Sequence, residues 1–448
     1  MKALLIFDPS ADGHHAGYIL NLMRYLEDSD SDCLFQILVS DEFIAQHDDL
    51  MAFAKQRIPG KVNWWTLSPG ESEAITSASS PRARGNAEWR ALMRHSTSIK
   101  HDAVLHMYAD YIVYPLALHR RLPKPLSGIL FRQNPHYAEM FGTQLEGKEH
   151  LKSKIKGKLL ELALKNECLH NFLCLDHYLP QYYDGKPKCE KLRPCADPVH
   201  VDETERIKEP EILAFEQPST RKRVLLFGVI SNRKGFGKFL RAASRLPADT
   251  LAQLSFHIAG PTMEDEEEAR ITESSNLIDK KSGRVIRENR FIKDDEIPGY
   301  FASADCIAAP YERHLGMSAV LVRAARAGKP VIASGFGLMG RIVEKHNLGW
   351  KLDPQAGMST EVALTELAGN GTLKFDPASA ERFSAMNTVQ AFGETVLGGC
   401  HLPEPLAAPR PEEMHSREKA INESENEQAV ETEIEVGAAT GTTGTESA

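Results

Sequence analysis

The residues best suited to hold a charged ligand lie in the second half of the chain. In Val224-Leu-Leu-Phe-Gly228-Val-Ile-Ser-Asn-Arg233-Lys234-Gly235 an apolar run stops at a glycine, and two cations and a second glycine then open a helical pattern. A helix start presents backbone N–H groups and partial positive charge, and the lysine adds a full charge, which suits a diphosphate. Two further turns follow, Tyr311-Glu312-Arg-His314-Leu-Gly316-Met317-Ser318 and Gly335-Phe-Gly337-Leu338-Met339-Gly340. Each precedes a helical pattern at the end of a short apolar run, where turn amides can meet anionic ligand groups. One such turn is commonplace. Three of them together with Lys234 converge on a phosphate-bearing ligand.

The first half carries weaker signals. Asp8-Pro-Ser-Ala-Asp-Gly13-His14-His15-Ala-Gly17 joins the first strand to the first helix, and its glycine lets backbone approach a ligand oxygen. It lacks the spacing of a dinucleotide fingerprint. His106 ends the run Ala103–His106 with Asp110 nearby, which would turn it toward a cleft; packing or hydrogen bonding is the other reading of a lone histidine. Neither an H-E-x-x-H metal motif nor a G-x-S-x-G nucleophile elbow occurs. Seven cysteines, four of them in C-x5-C pairs at 168/174 and 189/195, fit reduced thiols better than a zinc site.

These turns need rigid elements to hold them. Apolar runs alternate with helical patterns through most of the chain, the pattern of parallel α/β structure. One series of strands runs from Ala3 to about Leu175 and a second begins at Val224, so two Rossmann-like domains facing a central cleft are expected. The expected boundaries are 1–198 for the first domain, 199–220 for a charged, proline-bearing linker, 221–380 for the second and 381–401 for a closing helix. In this reading 68–85 is a long exposed loop. The stretch 148–165 is a basic helix whose stripe Leu151, Ile155, Leu159 and Leu162 packs on its domain; contact of its lysines with anionic lipid is the alternative.

The chain has 448 residues, right for two domains with extras, and a globular composition. Its net charge of -9 is uneven: the segment 402–448 carries eleven glutamates against three basic residues, so the remainder is nearly neutral. Neither part suits nucleic acid. The tail has too few apolar residues to order itself. No apolar run is long enough to span a membrane, and the start reads as a strand rather than an export signal, so a cytoplasmic, at most membrane-peripheral, location is expected.

The segment from about Arg223 to Pro354 resembles the donor-binding domain of retaining family 4 glycosyltransferases of the GT-B fold. The resemblance rests on the G-x5-K-G turn from Gly228 to Gly235, the stretch Phe291–Asp305 and Ala327-Gly-Lys-Pro-Val-Ile-Ala-Ser334. It implies a nucleotide-sugar donor as substrate, no metal and no other cofactor, and retention at the anomeric carbon. It further implies donor contacts from Gly228, Arg233, Lys234, Gly235, Glu312, Gly316, Met317, Ser318, Arg323, Gly337, Leu338 and Met339, with Gly13 and His14 on the acceptor side. The family's histidine after the strand ending at Phe131 has a displaced counterpart in His136, a candidate catalytic residue beside His106. The chain departs from the pattern where the E-x7-E carboxylates should stand. Leu315 and Arg323 occupy those positions, and only Glu312 lies close enough to compensate. An arginine cannot accept the ribose hydroxyls that the second acid would bind. A glycosyltransferase with an unidentified acceptor is therefore expected, with a non-catalytic binding protein or a sugar-nucleotide epimerase as alternatives.

Overall fold

Two parallel sheets built from continuous apolar runs position everything that follows. The structure, a computed structural model, describes residues 2–11, 15–143, 145–200, 210–214, 220–369 and 374–400. The first sheet contains β1 (Ala3–Asp8), β2 (Leu34–Val39), β3 (Val62–Thr66), β4 (Ala103–His106), β5 (Leu126–Leu130), β6 (Leu169–Cys174) and β7 (Leu192–Pro194). Its order is β3-β2-β1-β4-β5-β6-β7. The second contains β8 (Lys222–Phe227), β9 (Leu254–Ala259), β10 (Arg284–Glu288), β11 (Cys306–Ala309), β12 (Val331–Ser334) and β13 (Gly349–Leu352), in the order β10-β9-β8-β11-β12-β13. Strand order reverses beside β1 in one sheet and beside β8 in the other, and such switch points are where α/β sheets bind ligands.

Helices cover both faces of each sheet, which is why the strands read as unbroken apolar runs rather than alternating ones. Leu4, Leu5, Ile6 and Phe7 are all completely buried, as are Val224, Leu225 and Leu226. The core of the second sheet also takes in Tyr137 and Tyr178 from the first half, so the two halves share packing beside the cleft.

Three expectations are corrected. Residues 68–85 are not a loop: helices Pro69–Thr76 and Pro81–Ser98 occupy them. Ser68 and Glu71 form a capping box ahead of Pro69, and the Ser80 hydroxyl accepts from the Ala83 N–H ahead of Pro81. Both Ser-Pro pairs are helix starts, since proline at the first helical position loses no needed N–H. The single closing helix is two, Pro377–Ala385 and Val389–Gly399, because Thr388 caps a new start by accepting from the Ala391 N–H. The second of these returns to the first half, where the Gly399 carbonyl accepts from Ser127 and Asn171 side chains. Helix Gly147–Leu164 buries Ser153, Gly157, Leu160, Ala163 and Leu164, leaving Leu151 and Ile155 in solvent. Most of the expected linker and the whole of 402–448 lie outside the described residues.

Candidate active site

The carboxyl ends of β8, β11 and β12 bring the three turns together. After β8 the chain turns at Gly228 and forms one short helical turn, Asn232–Lys234, before helix Phe236–Ala243. Gly235 joins the two with φ +70°, and a Cβ there would come within 2.5 Å of the Pro310 carbonyl oxygen. Glycine is thus required by both conformation and space. The turn folds Lys234 back over its own strand. Its Nζ donates to the Tyr311 hydroxyl oxygen at 2.6 Å and approaches the Phe227 carbonyl at 3.5 Å. The Ser318 hydroxyl lies 3.4 Å from the same Tyr311 oxygen, so Lys234, Tyr311 and Ser318 form one polar cluster at the switch point.

Beside this cluster, the Arg233 guanidinium donates to Nδ1 of His314 at 2.9 Å, and the other ring nitrogen lies 3.1 Å from the Met317 carbonyl. The ring therefore carries its proton on Nε2 and is neutral. Burial pushes its pKa down to about 4, and the nearby charges of Arg233, Lys234 and Arg132 push the same way. A neutral histidine bracing an arginine concentrates positive charge without adding to it.

The third turn packs directly on the second. A Cβ on Gly337 would come within 2.8 Å of the His314 carbonyl oxygen, and the Leu338 N–H donates to the Leu315 carbonyl at 3.2 Å. The Leu338 amide is thereby engaged within the protein. The Leu338 and Met339 side chains are buried in the core, so only backbone at this helix start faces the turn cluster. Gly316 approaches the first half, where a Cβ would lie 3.6 Å from the Phe131 carbonyl. Glu312 points elsewhere, its carboxylate pairing with Lys238 at 2.9 Å on an exposed face.

Arg323 stands where the family pattern has an acid, and its surroundings match the change. It lies one turn into helix Ala319–Arg326, where burial lowers its pKa and the charges of Asp294 and Asp197 oppose that shift. Asp197, buried in the first half, accepts from the Tyr18 hydroxyl at 2.5 Å, and its own N–H donates to the Asn387 side-chain oxygen; burial raises its pKa while Tyr18 and Arg323 lower it. Arg323 thus lies within the electrostatic reach of a buried carboxylate of the other half.

On the facing edge of the first sheet, Asp8 ends β1 completely buried, and its carboxylate holds Nδ1 of His15 at 2.7 Å. His106, at the end of β4, is also completely buried. Its partner is not Asp110: Nδ1 accepts from the Tyr108 N–H at 3.3 Å, and Nε2 faces Glu88 at 3.4 Å. Glu88 in turn holds Arg84, which donates to Ser10. Asp110 instead ties down the chain after β5 through the Phe131 N–H, the Arg132 N–H and the Gln133 amide. His136 is completely buried among Tyr137, Phe141 and Tyr182, with Nε2 bonded to Asp176 at 2.9 Å. Neither candidate catalytic histidine is exposed in this arrangement. Gly13 and His14 lie outside the described residues.

A cavity of about 190 Å³ opens in the first half, lined by Tyr108, Tyr111, Tyr114, Arg132 and Lys156. Sequence reasoning missed Tyr311, His314, Arg132 and the Asp8–His15 pair. Tyr311, Asp8 and Arg132 each sit at or just beyond a strand's carboxyl end beside a cleft, and that position was the available signal.

Residues 221–369 match the family model described as glycosyl transferases group 1. No curated protein matches the chain. Three solved structures resemble it. HepE of Anabaena in complex with UDP and glucose is 15% identical with a TM-score of 0.57, the match covering 89% of this chain and 99% of that one. Sucrose-phosphate synthase of Thermosynechococcus elongatus is 14% identical with a TM-score of 0.58, covering 89% and 98%. The UDP-forming α,α-trehalose-phosphate synthase of Burkholderia vietnamiensis is 12% identical with a TM-score of 0.56, covering 89% and 99%. The likeness is one of fold: two Rossmann-like domains of the GT-B type.

Proposed function

We propose that this protein is a glycosyltransferase that moves a sugar from a nucleotide-sugar donor held by the second half to an acceptor held by the first. The observation that carries the reading is the cluster at the β8/β11 switch point, where Lys234, braced by Tyr311, stands beside Arg233, braced by His314. A diphosphate leaving group develops negative charge as the glycosidic bond breaks, and preorganised cations and helix-start amides stabilise it. Lys234 and Arg233 supply that charge in this reading, so transfer proceeds without a metal. The match of 221–369 to a glycosyltransferase family supports the donor side, as does a fold shared with an Anabaena protein solved with UDP and glucose. The acceptor enters from the first half, whose cavity near Arg132 and Tyr108 borders the His314 turn. Retention at the anomeric carbon follows from the family resemblance and belongs to the same proposal.

The test is incubation of the full chain with UDP-, GDP- and ADP-sugars and a mixed acceptor pool. Release of nucleotide coupled to a glycosylated product, with the product anomer read by NMR, supports transfer and retention. A second reading has its own observation. Arginine at position 323, where the family has its ribose-binding acid, favours a protein that binds nucleotide without turning it over. Binding without release of sugar would select that reading, and interconversion of the nucleotide sugar with no acceptor would select an epimerase.

A further inference from the structure

Helix Gly147–Leu164 exposes aliphatic side chains that a globular surface ordinarily covers. Leu151 is 61% exposed and Ile155, one turn on, is 50% exposed. Single exposed aliphatics are unremarkable, whereas neighbouring ones within a ring of cations have a meaning. At about 100° per residue, Lys148 and Lys152 fall on one flank of this pair and Lys154 and Lys158 on the other. All four lysines are exposed. The acids of the helix offset little of this charge: Glu149 turns to Arg313 of the second half, and Glu161 offsets Lys158 alone, pairing with it at 3.0 Å.

We propose that this face docks on an anionic lipid surface. Such a surface satisfies both features at once, taking the aliphatics into the head-group boundary while the lysines meet lipid phosphates. A second copy of the chain fits less well, because a two-fold contact through this face sets lysines against lysines. On the Lys148 and Lys152 flank of the same helix, Leu159 and Lys156 line the cavity that holds Tyr108 and Arg132. Docking therefore brings that cavity to the level of the lipid head groups. The inference does not depend on nucleotide-sugar transfer.

The experiment is co-sedimentation of the full chain with vesicles of phosphatidylcholine alone and of phosphatidylcholine mixed with phosphatidylglycerol. Binding to the mixed vesicles only is expected, and it weakens as salt rises. Leu151→Ser with Ile155→Ser lowers the partition coefficient by about tenfold or more. Each Lys→Gln change at 148, 152, 154 or 158 lowers it about fivefold. Both aliphatics are exposed, so an unchanged thermal midpoint verifies that the double variant folds. Absence of binding, equal binding to both vesicle types, or binding untouched by the double variant would overturn the proposal. So would self-association of the native chain that the double variant abolishes, which would assign the face to a second copy.

Discussion

His314 makes the stability of the donor-side turns depend on pH. In the folded protein its pKa is held at about 4, against an ordinary 6.5, chiefly by burial. The unfolded chain therefore takes up a proton between those values that the folded chain refuses. The group's full contribution is present above pH 6.5; it falls as pH drops through that value and levels off below about 4. From neutrality to pH 5 the loss from this one site is about 2 kcal/mol. His346, also depressed to about 4 by burial, adds a loss in the same window, so a comparison is needed to isolate His314. The perturbation is His314→Gln, whose amide can still reach the Met317 carbonyl but does not titrate. Urea unfolding of both proteins at neutral pH and at pH 5 is the assay. The variant should lose about 2 kcal/mol less than the native chain on acidification. Equal losses would refute the reasoning, because they would mean that His314 is protonated in the fold or that the Arg233–His314–Met317 chain does not form.

Lys234→Ala should raise the dissociation constant for the bound nucleotide roughly tenfold to a hundredfold, the worth of one charge-assisted hydrogen bond, as read by calorimetric titration. Its folding stability should change little, since the lysine is only half-buried. Arg323→Glu, which restores the family's acid, should destabilise the fold by about 1 kcal/mol or more, because it desolvates a second carboxylate within reach of buried Asp197; a lowered thermal midpoint checks this. Removal of divalent cations with EDTA should leave sugar transfer intact, as measured by nucleotide release, because Arg233 and Lys234 supply the positive charge.

The strands were legible because burial on both faces leaves an unbroken apolar signature, as in Val224–Phe227. The turns at Gly228, Gly316 and Gly337 were legible because glycine and position mark a strand-to-helix junction. What was misread has physical causes. The polar composition of 68–85 hid two helices, whose start signals were Ser-Pro pairs rather than apolar periodicity. Periodicity in 148–165 located a stripe through Leu151 and Ile155, but spacing cannot say which face of a helix another element covers. Pairings between distant residues left no mark on local sequence. Arg323 read as a lost acid, and the sequence did not show that the charge of Asp197, from the other half, reaches it. His106 found Glu88 on the preceding helix, and His136 found Asp176 inside an aromatic cage.

The central claim is that the β8/β11 switch point binds a nucleotide sugar through Lys234 and Arg233. Calorimetric titration of the full chain with UDP, GDP, ADP and their sugar conjugates tests it most directly, with Lys234→Ala and Arg233→Ala alongside. The account predicts saturable binding of one nucleotide class at a single site, weakened in both variants. A folded chain that binds none of these ligands, or one that binds them equally well without the two cations, would contradict it.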